Sequence, residues 1–231
     1  AKIQGISKNV DFKQKAINEG NPFKILSLQG IEYSFDDETE ITKTHNLVKT
    51  NVGISADRML LMPQANLEAL KSEFEDADNQ SNALSVAAKH KAQFGKYTNH
   101  FLKDSEMTKG FRVVYDMIEQ RPSDAGTIWQ SLTDLKQNED ALKNSREDFA
   151  SEKEQFANSF KENFGDAFRG NEDLFNDIYA GAYAYYTKTL ATVGANEKAI
   201  DNTIKLFSNT GGVYQFVEIN DQTVFIPNGF N

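Results

Sequence analysis

Residues 135–168 read LKQNEDALKNSREDFASEKEQFANSFKENFGDAF, and the spacing of their leucines and phenylalanines decides the fold. The apolar side chains recur first every seven and then every four residues, at Leu135, Leu142, Phe149, Phe156, Phe160, Phe164 and Phe168. Residues at these spacings share one face of an α-helix. Because no proline interrupts the segment, the pattern predicts one long helix over about residues 134–164.

The apolar face of this predicted helix is narrow in its first half. Positions that would widen it are polar or charged, as at Glu139, Arg146 and Lys153. A helix packed into a globular core has about three or four apolar residues in two turns. We therefore expect a largely solvated helix whose seam binds another protein or a second copy of the chain. The predicted partner-binding residues are Leu142, Phe149, Phe156 and Phe160.

Packing within the chain is the alternative explanation of the same seam. A second thin seam, formed by Ala87, Phe94 and Phe101, has the same heptad spacing. The two helices could pair as an antiparallel hairpin or within a bundle. Gly165 predicts a break near the end of the striped helix.

A second helical segment follows Asn171 and is apolar over a much wider arc. Three of its tyrosines, Tyr179, Tyr183 and Tyr186, share one helical face. Tyrosines on a pocket wall would suit a sugar or an aromatic ligand, so these residues are the candidate ligand-binding site of an alternative function. They could equally lie at a core boundary, with buried rings and with hydroxyls that reach water.

Both ends of the chain show strand signals. Residues 23–35 alternate well enough around Gly30 to suggest two short strands, and residues 41–49 form a weaker candidate. Residues 213–219 and 223–226 are typical of a terminal hairpin.

These patterns predict a mainly α protein of the α+β class. The expected architecture is an elongated multi-helix bundle with a small antiparallel β element formed by the N- and C-terminal segments. We expect a lead-in with short strands at residues 1–62, a helical body at residues 63–209, and a C-terminal β-hairpin at residues 210–231 packed on the same domain.

Composition excludes several classes of function. A net charge of −9 argues against binding to nucleic acid, which normally requires a clustered basic surface. No run of eighteen apolar residues exists, so no membrane span is predicted. The absence of cysteine excludes disulfides, thiolate metal sites and a cysteine nucleophile. The compartment stays open, although the leading Ala without Met favours an extracytoplasmic or secreted location over the cytoplasm.

Motifs that carry catalysis are missing from the sequence. It contains no serine elbow, no phosphate-binding glycine loop and no His-Glu-x-x-His. Of the three histidines, His45, His90 and His100, the last two would point about 80° apart on one helix rather than toward one metal. We predict no catalytic residue, no metal and no cofactor.

The leading hypothesis is a non-enzymatic protein–protein interaction or structural protein, of bacterial and exported type, that acts through the striped helix and its aromatic surface. The alternative is a binding protein for a small molecule or glycan with a tyrosine-lined pocket. A carboxylate-dependent hydrolase comes third, because paired carboxylates arise by chance among 34 acidic residues.

Overall fold

The computed structural model describes residues 21–168, 171–208, 214–219 and 222–227, and in them the chain is mainly helical, as predicted. The described helices are α1 Phe23–Leu28, α2 Glu38–Val52, α3 Gln64–Glu75, α4 Gln80–Phe94, α5 Thr98–Asp104, α6 Phe111–Met117, α7 Pro122–Thr133, α8 Leu135–Ser145, α9 Phe149–Phe164, α10 Glu172–Val193 and α11 Asn196–Phe207. Short 3-10 turns lie at Ala56–Arg58, Gly95–Tyr97 and Gly165–Phe168. The strands are β1 Tyr214–Ile219 and β2 Gln222–Pro227. None of the described helices has both the length and the apolar character needed to cross a lipid bilayer.

The described chain packs into two compact units, each with its own core. Unit 1 holds the residues up to Asp76 together with Lys89–Met107. Unit 2 holds Ala77–Ala88 and the residues from Thr108 onward. The division between them falls within α4, because residues 80–88 of this helix belong to unit 2 and residues 89–94 to unit 1.

The predicted N-terminal strands are wrong, because unit 1 begins with helices. Pro22 has φ −66°, which suits the first turn of α1. Residues 41–49 lie in α2, whose first turn is capped by the Asp37 carboxylate accepting from the Glu40 N–H at 2.9 Å. Gly53, with φ +83°, ends this helix. Its buried residues have helical spacing, at Ile41, Thr44, His45 and Val48.

Unit 2 is built around α10, which contacts α6, α7, α8 and α11. Close approach at one of these contacts depends on two glycines. Gly110 has φ +97°, and a Cβ added there would lie only 2.8 Å from the backbone nitrogen of Gly181 in α10. Glycine at both positions therefore lets the start of α6 lie directly against the backbone of α10.

The single long helix predicted over residues 134–164 is wrong, because the chain forms α8 and α9 with a break between them. Arg146 leaves the helical conformation at φ −134° and ψ +115°. Its guanidinium donates to the Glu152 carboxylate and, at 2.8 Å, to the carbonyl oxygen of Gly194. One local and one distant contact thus hold the break in a segment that contains neither glycine nor proline.

Strands β1 and β2 pair antiparallel, with Tyr214 opposite Pro227 and Ile219 opposite Gln222. Within the described residues the sheet has these two strands only. Residues 23–35 contribute no strand to it, so the expected joining of the two ends in one sheet is wrong. Residues 220–221, which link the two strands in sequence, lie outside the described residues.

Candidate functional site

The four predicted partner-binding residues lie in the interior of unit 2. Leu142 is 3% exposed, Phe149 is 4% exposed, and both Phe156 and Phe160 are fully buried. Their burial leaves no area on these side chains for a partner. The narrow seam is therefore part of a core, and the partner-surface assignment of these residues is corrected.

The face that covers the seam is the tyrosine face of α10. Phe156 stacks on Tyr186 with ring centroids 4.3 Å apart and planes 12° apart. Tyr179 meets Phe160 edge-on at 5.5 Å and stacks against Tyr183 at 6.1 Å. Aromatic rings bury large areas, so a seam with one ring per turn or less still fills the interface. The intramolecular explanation of the seam is thus supported, and the face that covers the seam is that of α10.

The same packing removes the aromatic wall expected for a ligand pocket. Tyr186 is fully buried and Tyr183 is 7% exposed, so their rings contact protein. The Tyr183 hydroxyl donates to the Glu139 carboxylate, which also accepts from Lys153 Nζ at 3.2 Å. Burial first, and then the bond to Glu139, raise the pKa of the Tyr183 phenol. Burial acts to raise the pKa of Glu139, but the bonds from Tyr183 and Lys153 hold it below the usual value.

The Tyr186 hydroxyl reaches the polar edge of the same interface. It donates to Asn196 Oδ1 at 2.7 Å, and the Asn196 amide donates to Gln155 Oε1 at 2.7 Å. An open cleft of about 450 Å³ lies beside these amides, between the start of α9 and the start of α11. Its lining is polar and holds the carboxylates of Asp148 and Glu197. The tyrosine rings do not line this cleft.

A different surface in unit 1 has the features of a protein-binding site. Phe23, Leu26, Val48 and Met59 form a small buried core in this unit. Partly buried hydrophobic residues pack around it, at Ile31, Tyr33, Phe35, Leu47, Val52 and Ile54. Leu28, which ends α1, is 62% exposed. Partly covered apolar area of this kind is a common property of interaction surfaces.

The segment Ile31–Phe35 crosses this surface without helical or sheet pairing. Ile31, Tyr33 and Phe35 pack on the core, whereas Glu32 is exposed. The Tyr33 and Phe35 rings contact each other at 5.6 Å, as expected for side chains two apart on one face of a strand-like segment.

Side chains, rather than a neighbouring strand, hold this segment in place. The Thr44 hydroxyl donates to the Ser34 carbonyl at 2.8 Å and accepts from the Ser34 N–H at 3.3 Å. The Gln93 amide donates to the Phe35 carbonyl at 2.8 Å. The backbone N–H and C=O of Tyr33 form no hydrogen bond with any described residue. The same is true of Glu32, so two adjacent residues of the segment each have a backbone donor and acceptor without a partner among the described residues.

A groove of about 450 Å³ lies between this segment and α3. We call it the unit 1 groove. The lining residues are Tyr33, Ser34, Phe35, Asp36, Met62, Asn66, Ala69, Leu70 and Gln93. Its volume is within the range of about 300–1,000 Å³ that is usual for binding pockets. Apolar side chains and polar groups thus line the groove together.

The charge at the groove is acidic. Asp36 lies in its lining, and both Asp36 and the nearby Glu32 are exposed. Within the described residues neither carboxylate forms an ion pair. The edge of the groove therefore favours a ligand with a positively charged group beside an apolar one.

The unit 1 groove was missed in the sequence because its two walls are distant in the chain. The alternation of Ile31, Tyr33 and Phe35 was visible, and it correctly indicated that alternate residues face a core. It suggested a paired strand, since periodicity alone carries no information on whether a partner strand exists. Comparison of the chain with protein-family models, with characterised proteins and with solved structures gives no match.

Proposed function

We propose that this chain is a non-enzymatic protein-binding protein, and that unit 1 captures an extended segment of a partner protein in the unit 1 groove. The observation that carries the proposal is the backbone of Tyr33, which has no partner among the described residues and lies at the edge of a groove with mixed apolar and polar lining. An extended peptide that lies along such a segment gains main-chain hydrogen bonds, while pockets beside it select alternate side chains.

The chemistry of the groove defines the bound segment. Leu70, Met62 and the rings of the strand-like segment would contact an apolar side chain. Asp36 would attract a lysine or arginine of the same segment. The partner segment is thus extended, with an apolar residue close to a basic one. An ion pair at the exposed edge of a groove, such as that between Asp36 and a basic residue, acts mainly on the rate of association and on specificity.

The test is a selection of random dodecapeptides on phage against the full chain at pH 7.5, followed by titration of the selected peptides. Ala69→Arg should weaken their binding at least tenfold, because Ala69 is exposed, lines the groove, and would place a long cation in it. The matched control is Ala92→Arg, on an exposed position of α4 outside the lining, which should leave binding unchanged. Both changes keep helix propensity nearly constant.

Three outcomes would overturn the proposal. Equal loss of binding in both variants would show that added charge, and not the groove, is responsible. Selected peptides that lack a basic residue or that bind the Ala69→Arg variant normally would place the binding surface elsewhere. Self-association of the chain that Ala69→Arg abolishes, measured by sedimentation, would make a second copy the occupant in place of another protein.

A further inference from the structure

All three histidines of the chain lie in unit 1, at His45, His90 and His100. His45 is 4% exposed and His90 is fully buried. Unit 2 contains no histidine. Histidine is the side chain whose ordinary pKa of about 6.5 makes it change charge between pH 5 and 8. The two units therefore differ in the groups that respond to mild acid.

His45 is held in its neutral form by its surroundings. Its Nε2 lies 2.9 Å from the carbonyl oxygen of Leu61, so Nε2 carries the proton and donates it to that bond. Its Nδ1 is buried and has no hydrogen-bond partner in the part of the chain that the structure describes. The ring meets Tyr97 edge-on at 5.6 Å. A second proton on Nδ1 would thus place a charge in the interior without an acceptor.

The charged groups that face His45 do not compensate for such a proton. His100 and Asp104, both on α5, are the ionisable groups that act on it. The Asp104 carboxylate already accepts from the Leu61 N–H at 2.6 Å and lies 3.3 Å from His100 Nε2. Burial lowers the pKa of His45, and the charge of His100 lowers it further. The bond to Leu61 and the charge of Asp104 act to raise this pKa, but they do not outweigh the burial.

His90 is packed between aromatic rings on the part of α4 that belongs to unit 1. Its ring lies 5.2 Å from Phe101 and 5.9 Å from Phe94. The carboxylate of Glu73 in α3 faces it, with Oε2 3.9 Å from His90 Nε2, and Glu73 also pairs with Lys89 at 3.1 Å. Burial outweighs the attraction to Glu73 and lowers the pKa of His90 to about 4.

Both buried histidines are adjacent to the residues that hold the unit 1 groove. Thr44, which fixes the backbone of Ser34, directly precedes His45 in α2. Gln93, which fixes the Phe35 carbonyl, lies one turn after His90 in α4. A rearrangement of either histidine would therefore disturb a wall of the groove.

We propose that mild acid opens unit 1, while unit 2 stays folded, and that a segment bound in the unit 1 groove is released as a consequence. The release rests on the proposed function, whereas the opening does not. Acid destabilises unit 1 because both histidines are neutral in the folded chain. Unfolding frees them to bind protons at their ordinary pKa, so the stability of unit 1 falls as pH decreases below about 6.5.

The opening is tested by hydrogen–deuterium exchange of the full chain without peptide, at pH 7.5 and pH 5.0 and corrected for intrinsic exchange rates. The pKa of His90 is about 6.5 in the unfolded chain and about 4 in the folded chain. This difference alone should reduce the protection of unit 1 roughly thirtyfold at pH 5.0. Peptides covering α2 and residues 89–104 should lose at least tenfold in protection. Peptides of α9 and α10 should keep theirs, and the fluorescence of Trp129, the single tryptophan and a residue of unit 2, should stay constant.

The variant His45→Gln with His90→Phe removes both titrating groups. Gln can still donate to the Leu61 carbonyl, and Phe matches the aromatic surroundings of position 90. This variant should lose less than threefold in protection of unit 1 between the two pH values. If it fails to fold, the comparison of unit 1 with unit 2 in the wild type remains decisive.

Equal protection of unit 1 at both pH values would overturn the proposal, and so would a parallel loss in both units. An undiminished acid response of a folded double variant would do the same. Peptide binding at pH 7.5 tests the groove separately. Loss of protection without any peptide binding would leave the acid opening intact and reject the groove.

Discussion

Replacement of Phe156 by alanine tests whether the aromatic stripe is a core. Phe156 is fully buried and its ring contacts Phe160, Tyr179, Tyr183 and Tyr186. Deleting a buried phenylalanine side chain costs about 3–5 kcal/mol, through lost transfer free energy and the cavity left behind. A whole domain is stable by only about 5–15 kcal/mol. We therefore expect Phe156→Ala to remove about a fifth or more of the free energy of unfolding of unit 2.

Two further variants provide the comparison: one keeps an apolar side chain at position 156, and the other is a surface control. Phe156→Leu keeps an apolar side chain but loses the stacked contact with Tyr186 at 4.3 Å, so it should cost roughly 1–2 kcal/mol. Glu162→Ala, on an exposed position of the same helix, should change stability by less than about 0.5 kcal/mol.

The assay is urea unfolding followed by the fluorescence of Trp129, which is 2% exposed in unit 2, together with circular dichroism. If Phe156→Ala costs less than 1 kcal/mol, the stripe is not a core. A partner surface at the stripe would then regain support, most of all if Phe156→Asp stayed folded and lost an association seen in the wild type.

Two other predictions concern unit 2. Gly110→Ala should destabilise it by at least about 2–3 kcal/mol in the same urea assay, because φ is +97° and the new Cβ would lie 2.8 Å from the Gly181 nitrogen. The control is Gly194→Ala, at φ +72° with open space around it, which should cost only about 1 kcal/mol. A similar cost at both positions would contradict the close approach of the two backbones. Tyr183→Phe should cost about 1.5–3 kcal/mol by removing the bond to Glu139. Because the folded chain raises the pKa of this phenol, that stabilisation should be lost as pH rises above about 10, and an alkaline unfolding limb unchanged in the variant would count against it.

The helical part of the fold was predictable because helices leave a local pattern. The spacing of Phe149, Phe156, Phe160 and Phe164 correctly places them on one face of a helix. Their role was misjudged because the width of an apolar face was taken as a measure of burial. Large rings break that relation, since each covers more than one position and meets another ring on α10.

Strand signals were less reliable, for a reason visible in α2. The alternation in residues 41–49 was weak, while Ile41, Thr44, His45 and Val48 had helical spacing in which two members are polar. A threonine and a histidine do not register as core residues in a hydrophobic pattern. The structure buries both because each finds a hydrogen bond, Thr44 to Ser34 and His45 to Leu61.

By itself, the sequence determined the helical class of the chain and the shared face of the residues in the stripe, because both depend on neighbours within a few turns. The tertiary structure decided that the tyrosines of α10 cover this stripe and that Arg146, at the break of the helix, binds the distant carbonyl of Gly194. It also decided that the strand-like segment beside the unit 1 groove has no strand partner in the described chain. Each of these outcomes depends on contacts between residues far apart in sequence, which no local periodicity records.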